Sequence, residues 1–171
     1  MKRMYIKEFL LCSFKEKRAR RIQFKNKKTL IIGKNDTGKS CLIKSLYKTF
    51  GAEVKLEDTW INADVCLLVK FEIDNKQYQI LREGNVFSLF NETGVHLKTF
   101  NKVTTGLGPY LADLLNFNLI LTTSSYESHI ATPAFAFLPF YIDQDKGWNK
   151  SFDSFERLQQ FKGYRKPAIE Y

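Results

Sequence analysis

Eight consecutive residues, Gly33-Lys34-Asn35-Asp36-Thr37-Gly38-Lys39-Ser40, restrict what this chain can fold into more than any other stretch. They fit G-x-x-x-x-G-K-[ST], a phosphate-binding loop that needs a strand before it and a helix after it. Thr29-Leu30-Ile31-Ile32 predicts a buried strand in the first place. Leu42, Ile43 and Leu46, at helical spacing after Cys41, predict a helix in the second. Gly33 and Gly38 let the backbone turn tightly and approach phosphate with no Cβ in the way. The amides of Lys34, Asn35, Asp36, Thr37 and the helix start then point partial positive charge inward. Lys39 reaches the β- and γ-phosphates, and the Ser40 hydroxyl ligates Mg²⁺. The expected cofactors are therefore ATP and Mg²⁺.

The 171 residues suit one domain with a real core. Fifteen Phe and eight Tyr make that core aromatic-heavy. The net charge of +9 suits a polyanion, either a nucleotide or nucleic acid. Cys12, Cys41 and Cys66 are scattered and form no C-x-x-C, which excludes the usual zinc and redox signatures. Cys12 and Cys66 lie in apolar runs and read as packing residues of a cytoplasmic protein. Lys7-Glu8 interrupts any secretory apolar region, and no apolar run is long enough to span a membrane.

Met4 to Phe14 reads as a strand, Lys15 to Arg21 as a basic turn and Ile22 to Phe24 as a returning strand, with Asn26-Lys27-Lys28 turning towards the loop. Gly51 stops the loop helix. Val65–Ile73, Tyr78–Arg82 and Val86–Phe90 form an antiparallel meander turning at Asp74-Asn75 and Glu83-Gly84-Asn85. Tyr110 to Phe117 predicts a helix begun by Gly108-Pro109. The run Ala134 to Ile142 predicts an apolar strand, although Pro139 argues for an edge or bulge. Asp153-x-x-Glu156 could open a helix with Phe155, Leu158 and Phe161 as its apolar face. His96 and His129 have no ligand-like partners, and Trp60 and Trp148 read as packing residues.

The order of hairpin, loop, helix, meander, helix, apolar run and then a lone glutamine resembles the N-terminal lobe of an ABC-type ATPase head of the SMC/RecF/RecN class. In that class a Q-loop glutamine lies roughly a hundred residues past the loop lysine; here the interval from Lys39 to Gln144 is 105 residues. The resemblance implies an α/β P-loop NTPase lobe with an antiparallel β-meander beside the P-loop sheet. It also implies that Gln144 is a catalytic residue sensing Mg²⁺ and the γ-phosphate. Residues 1–171 would be one lobe ending near the start of a coiled-coil arm, and so part of a longer protein. The signature, the Walker B acid pair and the switch histidine of the C-terminal lobe match nothing here. Two positions depart from the class. Its first-strand arginine is replaced within Leu10-Leu11-Cys12-Ser13-Phe14, leaving Lys15 and Arg18 as candidates to take over. Cys41 stands where relatives carry Ser or Thr, so it contributes to cofactor binding with one phosphate contact weakened. Asn35-Asp36-Thr37 and the string from Asp143 to Trp148 resemble prokaryotic anti-phage defence ATPases of the Lamassu kind.

By resemblance, the chain is the ATP-binding half of a head that dimerises around ATP and acts on DNA. Its partners would be the C-terminal lobe, a second head, double-stranded DNA and accessory or nuclease subunits. Lys17, Arg18, Arg20 and Arg21 are the candidate DNA contacts, within a basic stretch that also holds Lys15, Lys25, Lys27 and Lys28. Alone, such a half would not hydrolyse ATP. Two other readings stay open. One is a stand-alone P-loop NTPase or kinase, for which Asp143 is the best available acid. The other is a nucleic-acid-binding module.

Overall fold

Strict alternation sets the architecture. In a computed structural model describing residues 2–25, 28–146, 150 and 152–171, β3 (Val65–Ile73) buries every second side chain: Leu67, Val69, Phe71 and Ile73. It is central to an antiparallel six-stranded sheet with β1 (Met4–Ser13), β2 (Arg18–Gln23), β4 (Lys76–Glu83), β5 (Val86–Asn91) and β6 (His96–Phe100), in the order β2-β1-β3-β4-β5-β6. Asp74 and Asn75, at φ 48° and 63°, make the two-residue turn that hands β3 to β4 with matching twist. The register places Phe9 beside Val69 and Leu11 beside Leu67 on the inner face, and Leu10 beside Leu68 and Cys12 beside Cys66 on the outer face.

Helix α1 (Lys39–Thr49) lies on the inner face, where Leu46 and Phe50 enter the core. The Phe50 ring meets Phe71 of the sheet at 5.2 Å and Phe137 on its other side at 5.3 Å, so this helical segment is sandwiched. Gly51, at φ 81°, ends it as expected. A short helix, α2 (Asp58–Asn62), follows, and α3 (Gly108–Leu115) begins at Gly108-Pro109 after a π-turn over Val103–Leu107. Residues 118–132 contain a small hairpin, β7 (Ile120–Thr122) with β8 (Ser128–Ile130).

Four expectations need correction. Arg18 to Arg21 belong to β2 and not to a turn, because Lys17 (φ 51°) already reverses the chain. The run expected as an apolar strand is α4 (Pro133–Phe137) followed by a 3₁₀ turn over Leu138–Phe140. Its residues from Pro133 to Leu138 are all buried, and a short segment buried all round shows no period to separate strand from helix. Asp153 opens no helix: Arg157, at φ 60°, breaks the chain before a 3₁₀ turn at Leu158–Gln160, although Phe155, Leu158 and Phe161 are buried as expected. Thr29 to Ile32 forms no strand, and Leu30 and Ile32 are 82% and 83% exposed. No strand among the described residues pairs with it to complete a ladder. The last element is α5 (Arg165–Glu170). Asn26, Lys27, Gly147 and Trp148 lie outside the described residues.

Candidate functional site

The loop from Gly33 to Ser40 wraps around the side chain of its own lysine. Lys39 Nζ donates to the carbonyls of Gly33, at 2.8 Å, and Lys34. Thr37 Oγ1 donates to the Lys34 carbonyl at 2.8 Å, which fixes the curve. A Cβ on Gly33 would stand 2.8 Å from Thr37 Oγ1, and Gly38 takes φ 78°, so both glycines are required by geometry. Asp36 is also left-handed, at φ 59°. Lys34 to Thr37 and Ser40 are exposed; α1 starts at Lys39 directly after the curve. This is a ring of backbone with a cation at its centre and a helix N-terminus beneath it, which is the chemistry a polyphosphate needs. The fit to ATP is good on that ground. Among the described residues no three of His, Cys, Asp or Glu cluster as a metal site. Mg²⁺ would therefore rest on the Ser40 hydroxyl and on phosphate oxygens, a pattern that suits a cation reluctant to lose its waters. The Cys41 side chain points the other way: it is 5% exposed, and burial, followed by the charge of Glu57, pushes its thiol up. Only its backbone remains for phosphate.

Beside the loop stands Trp60 on α2. Its ring edge lies 3.7 Å from where a Cβ on Gly38 would be, and its indole N–H donates to Ser45 Oγ on α1 at 2.9 Å. Trp60 also walls a groove of about 780 Å³ whose other side is the first hairpin: Leu11, Ser13, Lys17, Arg18 and Arg20. The register explains which arginines face it. Arg18 is opposite Ser13 and Arg20 opposite Leu11, both inner-face positions, whereas Arg21 is opposite outer-face Leu10. Arg21 is bound by the carboxylate of Glu8, which Lys70 also holds at 3.1 Å. The four candidate DNA contacts thus part to two sides of the sheet. Lys15, one candidate for the missing arginine, donates to the Asn62 carbonyl at 2.9 Å, leaving Arg18 in the groove.

Gln144 is exposed in a turn whose two neighbours are gripped by α1. Lys44 Nζ lies 2.9 Å from Asp145 Oδ2 and 3.3 Å from Asp143 Oδ2. Lys44 is one helical turn beyond Ser40 and shares its face. Asp143 is 3% exposed and fully engaged: Oδ1 accepts the Asp145 N–H at 2.7 Å, and Oδ2 accepts the Tyr141 hydroxyl at 3.2 Å. Burial pushes Tyr141 far up, and the neighbouring Asp143 pushes it further. Asp143, the best available acid of the stand-alone NTPase reading, is thus buried and held by its neighbours. Trp60 and Lys44 are announced by no motif; only tertiary contacts bring them to the loop and to the Asp143–Asp145 turn. His96 and His129 are exposed, against Thr99 and Glu127.

The family model described as "AAA ATPase domain" matches residues 4–105. Lamassu protein LmuB of Bacillus cereus (strain VD014) is 32% identical over 172 aligned positions, covering all of this chain and 30% of that protein. Lamassu protein LmuB of Bacillus sp. (strain NCIM 5461 / CCTCC AB 2011126 / NIO-1130) is 31% identical over 151 positions, covering 85% of this chain and 25% of its own length. The chain thus spans less than a third of the length of these relatives.

Proposed function

This chain belongs to the AAA ATPase domain family, and from that and its similarity to Lamassu protein LmuB we propose that it is the ATP-binding lobe of an SMC-like ATPase of the Lamassu kind, working in anti-phage defence. The observation that carries the reading is the backbone ring around Lys39 at the start of α1. The loop amides and Lys39 would hold the β- and γ-phosphates, Lys39 with the ammonium that now donates to the Gly33 and Lys34 carbonyls. Ser40 would hold Mg²⁺, which would supply charge neutralisation at the phosphate oxygens. Trp60 and Arg18, which line the groove beside the loop, would contact the nucleoside, Arg18 in place of the class's first-strand arginine. Gln144, pinned through Asp143 and Asp145 to the face of α1 that also carries Ser40, reports Mg²⁺ and the γ-phosphate.

Hydrolysis needs a positioned water and charge stabilisation beyond the γ-phosphate. Those groups would come from a C-terminal lobe and a second head, so ATP closes two heads together and this lobe alone turns over at background rate. Exposed Leu30, Ile32, Phe140 and Ile142 offer that lobe an apolar seat. Double-stranded DNA and accessory or nuclease subunits are proposed as partners of the complete protein. The hairpin itself is a poorer DNA surface than its charge suggests, since Arg21 is held by Glu8.

Titration with a fluorescent ATP analogue tests the core of this reading. Lys39→Ala removes the charged donor that the loop encircles and should weaken binding at least tenfold, since hydrogen bonds to charged groups contribute roughly 1.5–3 kcal/mol. Equal affinities overturn it.

A further inference from the structure

We propose that Cys12 and Cys66 form an oxidisable dithiol, a modification site that closes to a cross-strand disulfide on the outer face of the sheet. The two residues are direct partners in the antiparallel β1–β3 register, at outer-face positions. Both are half-buried and so partly open to solvent, whereas Cys41, on α1, is buried. On its other side Cys12 is paired with Ala19 of β2, a small residue. Directly opposed residues of an antiparallel pair have Cα atoms roughly 4.5–5.5 Å apart, inside the range a disulfide bridges. Their Cβ atoms stand at roughly 4.5–5.5 Å, whereas a disulfide prefers about 3.8 Å. The strands must therefore draw together, and a bond closed under such tension is readily reduced, as reversible bonds are.

Oxidised glutathione is a sufficient co-reactant. One cysteine thiolate attacks a glutathione sulfur, forming a mixed disulfide and releasing glutathione thiolate. The second cysteine gives up its proton and attacks the cysteine sulfur of that mixed disulfide, releasing the second glutathione. Two protein thiols are oxidised and one glutathione disulfide is reduced to two thiols. Burial pushes the Cys66 thiol up, and Glu83 and Cys12 add to the effect, so closure should quicken as pH rises. The resulting ring runs from residue 12 to residue 66 and encloses the hairpin tip, the phosphate loop, α1 and α2. A single bond would thus fasten the strands from which the nucleotide-binding segment leaves and to which it returns.

The test is incubation of the native chain with oxidised glutathione, followed by thiol counting and non-reducing peptide mapping. Two of the three thiols should disappear, with the Cys12 peptide joined to the Cys66 peptide and Cys41 still free. Dithiothreitol should restore both. Cys12→Ser and Cys66→Ser should each stop at a mixed glutathione adduct on the remaining partner. Three persisting thiols, an unresolved adduct on the native chain, or Cys41 in the bridge would each overturn the proposal.

Discussion

Lys44 shows how much one side chain can decide. It is buried in the middle of α1 and would be costly there without its two carboxylates. Burial pushes its ammonium down, but the hydrogen bonds it donates to Asp145 and Asp143, with their charges, outweigh this and hold it above its ordinary value. The hydrogen bond from Lys44 in turn holds Asp145 below the usual carboxylate range. The Lys44 contribution is complete below its unfolded value and is lost as pH rises through the raised folded value. That of Asp145 is complete above its unfolded value and is lost as pH falls through the depressed one. The grip on Gln144 is therefore whole across the neutral range and fails only at the alkaline and acid extremes. Lys44→Met should strand Asp143 in the interior and cost roughly 3 kcal/mol or more, read as a lower denaturant midpoint. Amide exchange at residues 143–146 should quicken well before global unfolding. Unchanged exchange there would mean that the turn is held without Lys44, by the Asp143 N–H donating to Ser154 Oγ at 3.1 Å, the Tyr141 hydroxyl on Asp143 and the Lys146–Glu156 ion pair.

Among the elements, the β1–β2 hairpin shows why a charged strand can be stable at an edge. Glu8 is buried on β1 with Arg21 on one neighbouring strand and Lys70 on the other. Burial alone would raise its pKa; the hydrogen bonds from Arg21 and Lys70 outweigh it and hold the carboxyl below the usual range. Its contribution is thus present above the unfolded value, about 4.3, and is lost as pH falls through the depressed folded value. Glu8→Gln should be less stable than wild type near neutrality and lose less on acidification, so that thermal melts of the two proteins converge in acid. Parallel melting curves across that range would remove Glu8 from the account of acid sensitivity.

The same elements show what sequence could carry. The meander was legible because β3 alternates cleanly and Asp74-Asn75 announces its turn. The phosphate loop was legible because its motif dictates geometry. By contrast, α4 was not, because a short segment buried on all sides shows no period. The hairpin arginines looked like one patch in sequence, yet period-two geometry sends Arg21 away from Arg18 and Arg20. Trp60 and Lys44 gave no signal at all, since their importance lies in contacts with Gly38 and the Asp143–Asp145 turn.

At the scale of the whole molecule, the apolar residues on the outside are as informative as those inside. Leu30 and Ile32 precede the phosphate loop unpaired, and Phe140 and Ile142 precede Gln144 at 66% and 76% exposed. Under the proposed function both strips lie against the C-terminal lobe, so hydrogen–deuterium exchange should be fast at residues 28–32 in this chain and strongly protected in the longer protein. Equal exchange in both would mean that this segment gains no strand partner.

The strand order also implies a sequence of events in time. From β3 to β6 each strand pairs with the next, across short connections. The β1–β3 pairing instead joins residues 4–13 to residues 65–73, with the phosphate loop, α1 and α2 strung between them. Such distant closure is entropically slow, while neighbouring hairpins form quickly. On the ribosome, the loop emerges before the strand that completes its scaffold has been made. The nucleotide site is encoded early but assembled late, and until β3 arrives the nascent chain presents the Phe9 and Leu11 face of β1 to whatever chaperones are at hand.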